Sequence, residues 1–181
     1  MVINGSVREG RAADKVQNWA LEILKQIPNI ELDLADLKEI ELPFFNEPII
    51  PSVAKGQYQN PAGTAWAKRV GEAEAFIMLT AEYNHGPTAV LKNAIDWVYE
   101  GWMYKPVGFI SYGGLAAGTR AVQQLKQNVL NVKLFPALAN IHIPNVRQAF
   151  NDQGQPVYPG LDENLKKLTA ELTDLQKRLA G

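Results

Sequence analysis

The sequence predicts an α/β fold in which a five-stranded parallel sheet carries helices on both faces. Segments with strand character and segments with helix character alternate along the 181 residues, and this alternation is typical of a parallel sheet. Residues 75–81 and 107–110 are almost wholly apolar, as in strands that are covered on both faces. We therefore place these two strands at the centre of the sheet.

The elements in the first part of the chain follow from hydrophobic periodicity. Val2 and Ile3 form a first strand that is short for the centre of a sheet, so we expect either that a few residues precede this numbering or that the strand is clipped. Apolar residues at helical spacing from Ala13 to Ile27 predict a helix. Residues 30–34 alternate between apolar and polar, as a half-exposed strand does.

Proline and glycine recur from Pro43 to Gly63, and this density predicts a long irregular loop. Beyond the loop, apolar spacing and a proline in a first turn predict helices, and alternation predicts one more strand. These elements are helices over about residues 64–74, 87–98, 118–132 and 161–179, and a strand over residues 137–143 with Asn140 and His142 on one face. His142 alternates with two isoleucines, so we expect it to be structural rather than catalytic.

The polarity of the strands predicts their order. The second and fifth strands alternate in polarity, as edge strands do. The order 2-1-3-4-5 follows, which is that of flavodoxin-like folds, a three-layer sandwich of helices around one sheet. We expect one such domain over residues 1–181. In this fold the ligand binds at the carboxyl ends of the strands, at the switch point between the first and third.

Charge and composition exclude several classes of protein. The chain has 18 Lys and Arg residues against 19 Asp and Glu residues, so it lacks the basic excess of a nucleic-acid-binding protein. It has no cysteine for a disulfide, a thiol nucleophile or a metal site, and its two histidines are far apart in sequence. No apolar run is long enough to span a membrane and no secretory signal is evident, so we expect a cytoplasmic protein.

The loop over residues 5–12 runs directly from the first strand into a helix. A helix N-terminus offers free N–H groups and a positive dipole end to a phosphate, and this loop adds the Ser6 hydroxyl and the guanidinium groups of Arg8 and Arg11. Its two glycines have the spacing of a Walker A loop, but Arg11-Ala12 replaces the Lys and Ser or Thr of that motif. The loop therefore predicts either a site for one terminal phosphate or a solvated turn with two surface arginines.

Two more loops are predicted at the same edge of the sheet. Residues 82–87 form either a capped turn before a helix or a lip over a flat ring, with Asn84 facing the polar edge of the ring. Residues 111–118 contain three glycines, which form either a flexible turn or a surface that a ligand approaches closely. Because the three loops follow adjacent strands, together they predict a planar cofactor that carries a phosphate.

Five segments in one order carry a family resemblance. They are Gly5-Ser6-Val7-Arg8, Glu82-Tyr83-Asn84-His85-Gly86-Pro87, Leu91-Lys92-Asn93-Ala94-Ile95-Asp96-Trp97, Lys105-Pro106-Val107 and Ser111-Tyr112-Gly113-Gly114. In this combination residues 2–143 resemble the NADPH-dependent FMN reductase family, a flavodoxin-like group that includes quinone, azo-dye and chromate reductases. The chain departs from many members after Arg8, because Gly10-Arg11-Ala12-Ala13 stands where they carry a Ser or Asn.

The resemblance implies FMN as the bound cofactor and NADPH or NADH as the hydride donor. It places Ser6, Arg8 and Arg11 at the phosphate. Around the ribityl chain and the isoalloxazine ring it places Glu82, Tyr83, Asn84, His85, Ser111, Gly113 and Gly114.

The implied activity is that of an NAD(P)H oxidoreductase. Hydride would pass from the nicotinamide to flavin N5, and electrons would then pass to a quinone, an azo compound, a metal oxyanion or free flavin. Ping-pong kinetics are expected because the two substrates would share one face of the ring. We assign no catalytic side chain, since the flavin performs the chemistry and no Ser-His-Asp or paired-carboxylate set is evident.

Two other functions remain open from the sequence. A flavodoxin-type electron carrier would bind FMN without oxidising NAD(P)H. Such carriers tend to be acidic and hold the phosphate in a Thr- and Ser-rich loop, whereas this chain has two arginines there and a net charge of −1. The other alternative is a non-enzymatic flavin-binding protein. Oxidation of NAD(P)H by the purified protein distinguishes a reductase from both.

Aromatic residues crowd the end of one helix and the turn after it, at Trp97, Tyr99, Trp102 and Tyr104. A connection of this kind is normally polar. Trp97 is equally well explained as a cap on the core, but Trp102 and Tyr104 are expected to be exposed at a subunit contact. The resemblance also implies a homodimer or homotetramer with the flavin sites at or near that contact.

Overall fold

Six strands form one parallel sheet in the computed structural model, which describes residues 1–180. They are β1 (Val2–Asn4), β2 (Leu34–Asp36), β3 (Phe76–Ala81), β4 (Pro106–Tyr112), β5 (Phe135–Pro136) and β6 (Ile141–Ile143). The strand order is β2-β1-β3-β4-β5, and β6 also pairs with β4. The predicted flavodoxin-like order is therefore confirmed.

Helices cover both faces of this sheet, so the predicted three layers are present. The helices are α1 (Ala13–Leu24), α2 (Leu37–Ile40), α3 (Pro51–Ala54), α4 (Pro61–Glu72), α5 (Ala89–Asp96), α6 (Thr119–Asn131) and α7 (Leu161–Ala180). Buried side chains of α1 and α7 form an apolar cluster with one face of the sheet. Those of α4, α5 and α6 form a second cluster with the other face.

The central strands β3 and β4 are buried along their whole length, as their apolar sequences predict. Their side chains alternate between the two clusters, with Met78 facing α4, α5 and α6 and Leu79 facing α1 and α7. The two strands are in register to their ends, where Ala81 pairs with Tyr112. The loops that follow them therefore start side by side.

The second strand lies later in the chain than predicted. Alternation predicts a strand at residues 30–34, but β2 starts only at Leu34. Leu34 pairs with Val2, the first residue of β1, so the residues before Leu34 extend past the strand they would pair with. Hydrophobic alternation indicates a strand but does not fix its register with a neighbour.

The predicted fifth strand, residues 137–143, is in fact interrupted, and β5 and β6 pair separately with β4. Between them the chain leaves the sheet. The N–H groups of Leu138 and Ala139 donate instead to the carboxylate of Glu171 on α7, at 2.6 and 2.9 Å. Asn140 therefore lies outside both strands, so its predicted place on a strand face is wrong.

The proline-rich segment after α2 is irregular, as predicted, apart from the short α3. The helix that follows it begins at Pro61, earlier than the predicted start at residue 64. Proline suits the first helical position because its missing N–H has no partner there. The Asn60 side chain accepts a hydrogen bond from the N–H of Ala62 at 2.9 Å and caps the helix.

The prediction that Trp102 is exposed at a subunit contact is wrong, because its side chain is completely buried. A short 3₁₀ turn at Glu100–Trp102 directs the indole back under the sheet. There its ring lies 4.8 Å from the ring of Phe76, and its N–H donates to the carbonyl oxygen of Ile95 at 3.2 Å. Tyr104 is half exposed, as expected.

The leucine row of α7 packs on the core instead of forming a separate coiled coil. Leu161, Leu165, Leu168 and Leu172 are buried in the cluster shared with α1. Within residues 1–180, neither this helix nor any other is long and apolar enough to cross a membrane.

Candidate functional site

The three predicted loops meet at the carboxyl ends of β1, β3 and β4. The hydroxyl oxygens of Ser6, in the first loop, and Tyr83, in the second, lie 3.4 Å apart. The second loop contacts the start of α6, directly after the third loop, through Glu82, whose carboxylate accepts a hydrogen bond from the backbone N–H of Arg120 at 3.2 Å. The candidate site is therefore one continuous edge of the molecule.

The start of the first loop is fixed against β3. The N–H of Gly5 donates to the carbonyl oxygen of Leu79 at 3.0 Å, and a Cβ atom on Gly5 would lie 2.7 Å from that oxygen. Only glycine fits so close an approach. The Thr88 hydroxyl, just before α5, donates to the carbonyl oxygen of Gly5. The Asn4 side chain accepts from the N–H of Ser6 at 3.2 Å.

The first turn of α1 has unpaired backbone donors. Its N-cap residue is Ala12, which has no side-chain acceptor to offer. In the described part of the chain, the N–H groups of residues 12–15 make no hydrogen bond of standard geometry, and the first such bond runs from Val16 to Ala12. Uncapped N–H groups and the positive end of the helix dipole favour an anion at this position.

The two arginines of the first loop have different surroundings. Arg8 is exposed, and within residues 1–180 it forms no ion pair. Arg11 donates to Asp36 with two nitrogens, to Asp14 at 2.8 Å and to the carbonyl oxygen of Ser6. Four of its five N–H groups are therefore used within the protein. Arg8 is the free cation at the helix end, and the phosphate contact of Arg11 remains a prediction.

The second loop is a tight hairpin-like turn. Tyr83 and Gly86 exchange two backbone hydrogen bonds of 2.9 Å. Between them Asn84 and His85 have φ angles of 51° and 67°, as the two central residues of a type I′ turn do. Both side chains are exposed at the edge of the site. The turn is therefore a fixed projection beside the first loop.

Glu82 and Arg120 hold this turn against α6. The Glu82 side chain is nearly buried, and its carboxylate lies 2.6 Å from Nε of Arg120. A guanidinium N–H of Arg120 donates to Nε2 of His85 at 2.7 Å, and the Gln124 amide donates to the His85 carbonyl oxygen at 2.8 Å. Arginine has no acceptor, so Nε2 of His85 accepts in this contact.

The third loop lies over a buried serine. Ser111 is completely buried, and its hydroxyl donates to the carbonyl oxygen of Ala117 at 2.8 Å. The hydroxyl oxygen is 2.6 Å from Nδ1 of His142, which therefore supplies the proton of that contact. Ser111 and His142 thus fix the loop from below, and this agrees with the structural role predicted for His142.

The glycines of the third loop differ in what the fold requires. Gly118 has a φ of +79°, and a Cβ atom there would lie 2.7 Å from Cβ of Ser111. Gly114 has no such constraint, since a Cβ atom would meet nothing within 4 Å. At Gly113 the nearest atom would lie 3.4 Å away, an ordinary contact. The fold therefore needs glycine at 118 but not at 113 or 114, and Gly114 alone of the three faces open space for a ligand.

A cleft of about 680 Å³ lies at the opposite end of the sheet, beside Leu32, Asp33 and Ala75. Ligands of open parallel sheets bind at the carboxyl ends of the strands. The uncapped donors and the free arginine also lie at that end, so the cleft is not the candidate site. Among residues 1–180 no group of three His, Cys, Asp or Glu side chains is placed to hold a metal ion.

Comparison with known families decides the class. A model of the family described as NADPH-dependent FMN reductase matches residues 1–148 of this chain. The match includes all three loops. The chain belongs to the NADPH-dependent FMN reductase family.

Individual relatives of the family match along almost the whole chain. An NAD(P)H-dependent FMN reductase of Schizosaccharomyces pombe is 32% identical over 179 residues, which cover 97% of this chain and 88% of the relative. An NADPH:quinone oxidoreductase of Arabidopsis thaliana is 27% identical over 190 residues, which cover 99% and 92%. The solved structure of FerB, a flavoenzyme NAD(P)H:(acceptor) oxidoreductase from Paracoccus denitrificans, has a TM-score of 0.71 at 20% identity, covering 99% of this chain and 95% of FerB. FerB supports the fold alone.

Membership confirms the predicted family, the predicted oxidoreductase class, and FMN and NAD(P)H as the cofactors of the family. The site fits FMN. The uncapped turn of α1 and the free Arg8 suit a phosphate, and the open space at Gly114 suits a flat ring beside the turn at residues 83–86. Three residues that matter to this site, Asp36, Tyr112 and Arg120, were missed by the sequence analysis. Arg120 follows the third loop directly, and that position is the one signal that could have identified it.

Proposed function

We propose that this chain is an FMN-dependent NAD(P)H oxidoreductase whose electron acceptor is a quinone. The observation that carries the proposal is the uncapped N-terminus of α1 with a free arginine, next to an edge of the sheet with space for a flat ring. The quinone is favoured because Asn84, His85 and Gly114 present no carboxylate at that edge, and the neighbouring cation, Arg120, is paired with Glu82. The name of the Arabidopsis relative supports the same substrate class.

In this proposal each loop has its own task. Arg8 and the N–H groups of residues 12–15 bind the FMN phosphate. The turn at residues 83–86 and the glycines at 113 and 114 hold the ring from two sides. When bound, FMN supplies the two-electron redox chemistry. The residues of the chain orient the ring and the substrates beside it, and none is needed as an acid or base.

The nicotinamide and the quinone use the same place in turn, so the kinetics are ping-pong. The type I′ turn and the Ser111–His142 pair fix both neighbouring loops. We infer that a fixed edge of this kind binds one flat substrate at a time. Initial rates measured at several concentrations of both substrates should give parallel double-reciprocal lines, and intersecting lines would exclude the proposed order.

We also propose that the protein is a homodimer or homotetramer. Phe44, Ile49, Ile50 and Val53 are each more than half exposed, and all four lie on the segment between α2 and α4. Apolar side chains grouped in this way mark contact sites. This segment replaces Trp102 as the proposed subunit contact. Light scattering at micromolar concentration tests it, and a monomeric protein would contradict it.

The test of the function separates the two half-reactions. The FMN-loaded protein is mixed without oxygen with NADPH or NADH, and the visible absorbance of the flavin is followed until it bleaches. The reduced protein is then mixed with benzoquinone, an azo dye, chromate or free FMN. We expect rapid bleaching and the fastest return of colour with the quinone. Failure of both nicotinamides to bleach the flavin would overturn the proposal and favour an electron carrier.

A further inference from the structure

Three hydroxyl groups lie together below the N-terminus of α1, and each comes from a different strand end. Ser6 follows β1, Tyr83 follows β3, and Tyr112 ends β4. The Ser6 and Tyr83 oxygens are 3.4 Å apart, a long contact in which either group donates. Burial raises the pKa of the Tyr112 phenol, and the Ser6 hydroxyl, which lies close to it, lowers that pKa by a smaller amount.

Tyr112 has an unused donor. Its side chain is 3% exposed, and its hydroxyl has no hydrogen-bond partner among the described residues. Its contact with Ser6 lacks the geometry of a hydrogen bond. A buried hydroxyl without a partner is costly and rare in folded proteins. Because burial keeps the phenol protonated, the group is a proton donor directed at the loop that carries Ser6.

Ser6 is the group that could use this donor. A serine hydroxyl has one O–H to give and two lone pairs to accept with. When its O–H points at an anion above the loop, its oxygen is left as an acceptor facing inward. Tyr83 is half exposed and can satisfy its own hydroxyl in water. Tyr112 cannot, because it is buried, and the neighbouring Ser6 oxygen is the acceptor that we assign to it.

We propose that Tyr112 is a positioning residue for the FMN phosphate that acts through Ser6. The phenol O–H donates to the oxygen of Ser6, and the Ser6 O–H donates to a phosphate oxygen. This chain orients the serine hydroxyl toward the ligand and strengthens it as a donor, because linked hydrogen bonds polarise one another. The inference rests on the proposed binding of FMN at this loop.

The experiment measures the dissociation constants of FMN and riboflavin by quenching of flavin fluorescence, without any turnover. The variants are Tyr112→Phe, Ser6→Ala and the double variant, with Tyr104→Phe, before the opposite end of β4, as the control. We expect Tyr112→Phe to weaken FMN binding by up to about tenfold, the upper end of what one neutral hydrogen bond contributes. Riboflavin, which lacks the phosphate, should bind unchanged. In the Ser6→Ala background, Tyr112→Phe should have no further effect.

A second measurement excludes a merely structural role. The loss of an unpartnered hydroxyl removes no bond, so the melting temperature of Tyr112→Phe without flavin should be equal to or above that of the wild type. Equal weakening of riboflavin and FMN, a lower melting temperature, additive effects with Ser6→Ala, or an unchanged FMN constant would each overturn the inference. Failure of the wild type to bind FMN would overturn the proposed function itself.

Discussion

Arg11 and Asp36 form an ion pair that ties the loop after β1 to the end of β2. Two guanidinium nitrogens of Arg11 donate to the two oxygens of the carboxylate, and the side chains are only 8% and 14% exposed. Arg11 also donates to the carbonyl oxygen of Ser6. The shape of the first loop, residues 5–12, therefore depends on a residue 25 positions away from Arg11 in sequence.

Replacement of Asp36 by Asn should lower the free energy of unfolding by about 1–2 kcal/mol, the scale of charged hydrogen bonds. It should also weaken FMN binding, because the first loop loses the ion pair between Arg11 and Asp36 that fixes it. Burial raises the pKa of Asp36, but the hydrogen bond and charge of Arg11 outweigh it and lower the pKa overall. Stability from a carboxyl with a lowered pKa is present above its unfolded pKa and lost as the pH falls through the folded value. The free energy of unfolding, measured in urea, should therefore fall more steeply below about pH 4 in the wild type than in Asp36→Asn.

A matched control lies at the other end of the same strand. Asp33 pairs with Arg69 at 2.5 Å, and that hydrogen bond lowers the pKa of Asp33 as well. Asp33→Asn should thus flatten the acid loss of stability while leaving the FMN dissociation constant unchanged. If both variants lost FMN affinity equally, the effect of Asp36 would be general and not a property of the loop.

Arg8→Ala should weaken FMN binding by about 1.5–3 kcal/mol, because one charge-assisted hydrogen bond is lost. The stability of the protein should be unchanged, since Arg8 is exposed and, within residues 1–180, has no ion-pair partner. Titration calorimetry measures the dissociation constants of FMN and riboflavin, and thermal unfolding measures the stability. An equal loss for riboflavin would mean that Arg8 maintains the loop and does not contact the phosphate.

Two glycines of the third loop should respond in opposite ways to alanine. Gly118→Ala should lower the free energy of unfolding by about 1–3 kcal/mol, because its φ of +79° and the 2.7 Å approach to Ser111 exclude a Cβ atom. Gly114→Ala should leave stability unchanged but weaken flavin binding, because the added methyl group enters open space beside the turn. Thermal unfolding measures the stability of both variants, and flavin titration measures their affinity for flavin. Undiminished flavin binding by Gly114→Ala would place the ring elsewhere.

The protein should bind FMN in preference to FAD. The first loop combines an uncapped helix end with a free arginine for phosphate, and an anion site of this kind suits a terminal phosphate. FAD would add a second phosphate and an adenosine that have no equivalent donors in these loops. Competition between the two flavins, followed by fluorescence, measures the preference. Tighter binding of FAD would contradict the single-phosphate site.

A charge at Ile50 should weaken the contact between subunits, whereas a charge at Trp102 should disrupt folding. Trp102→Glu buries a carboxylate in an apolar cluster, so we expect unfolded or aggregated protein. Ile50→Glu should remain folded, because Ile50 is 61% exposed, and should reduce the mass measured by light scattering. Leu138→Glu is the control, since Leu138 is exposed on another part of the molecule. An unchanged mass for Ile50→Glu would exclude the segment between α2 and α4 as the contact.

The sequence predicts the sheet order and the site edge because both depend on short-range patterns. The buried strands β3 and β4 are visible in the sequence as apolar runs. The loops after them are visible as the glycine and polar residues that end those runs. Register is not visible in that way. Residues 30–34 alternate correctly for a strand, yet pairing starts only where Leu34 meets Val2.

The partners of individual side chains are the part that sequence cannot supply. Arg11 suits a phosphate as well as it suits Asp36, and no spacing rule relates the two positions. Trp102 after a glycine is equally compatible with a buried and an exposed ring, and only the 3₁₀ turn decides between them. The lone donor of Tyr112 arises from the end of β4 lying against the first loop, which is a tertiary property.

In the binding mode that we propose, the FMN phosphate lies at Ala12, at the start of α1, and the bound cofactor stabilises the folded chain. The helix has no cap of its own there, so an anion completes its first turn, and the free energy of binding adds to the free energy of folding. Without flavin, we expect the amide protons of this turn to exchange fastest in the helix. In a cell short of flavin, more of the chain would open at this end and be degraded. The amount of protein would then follow the supply of its cofactor.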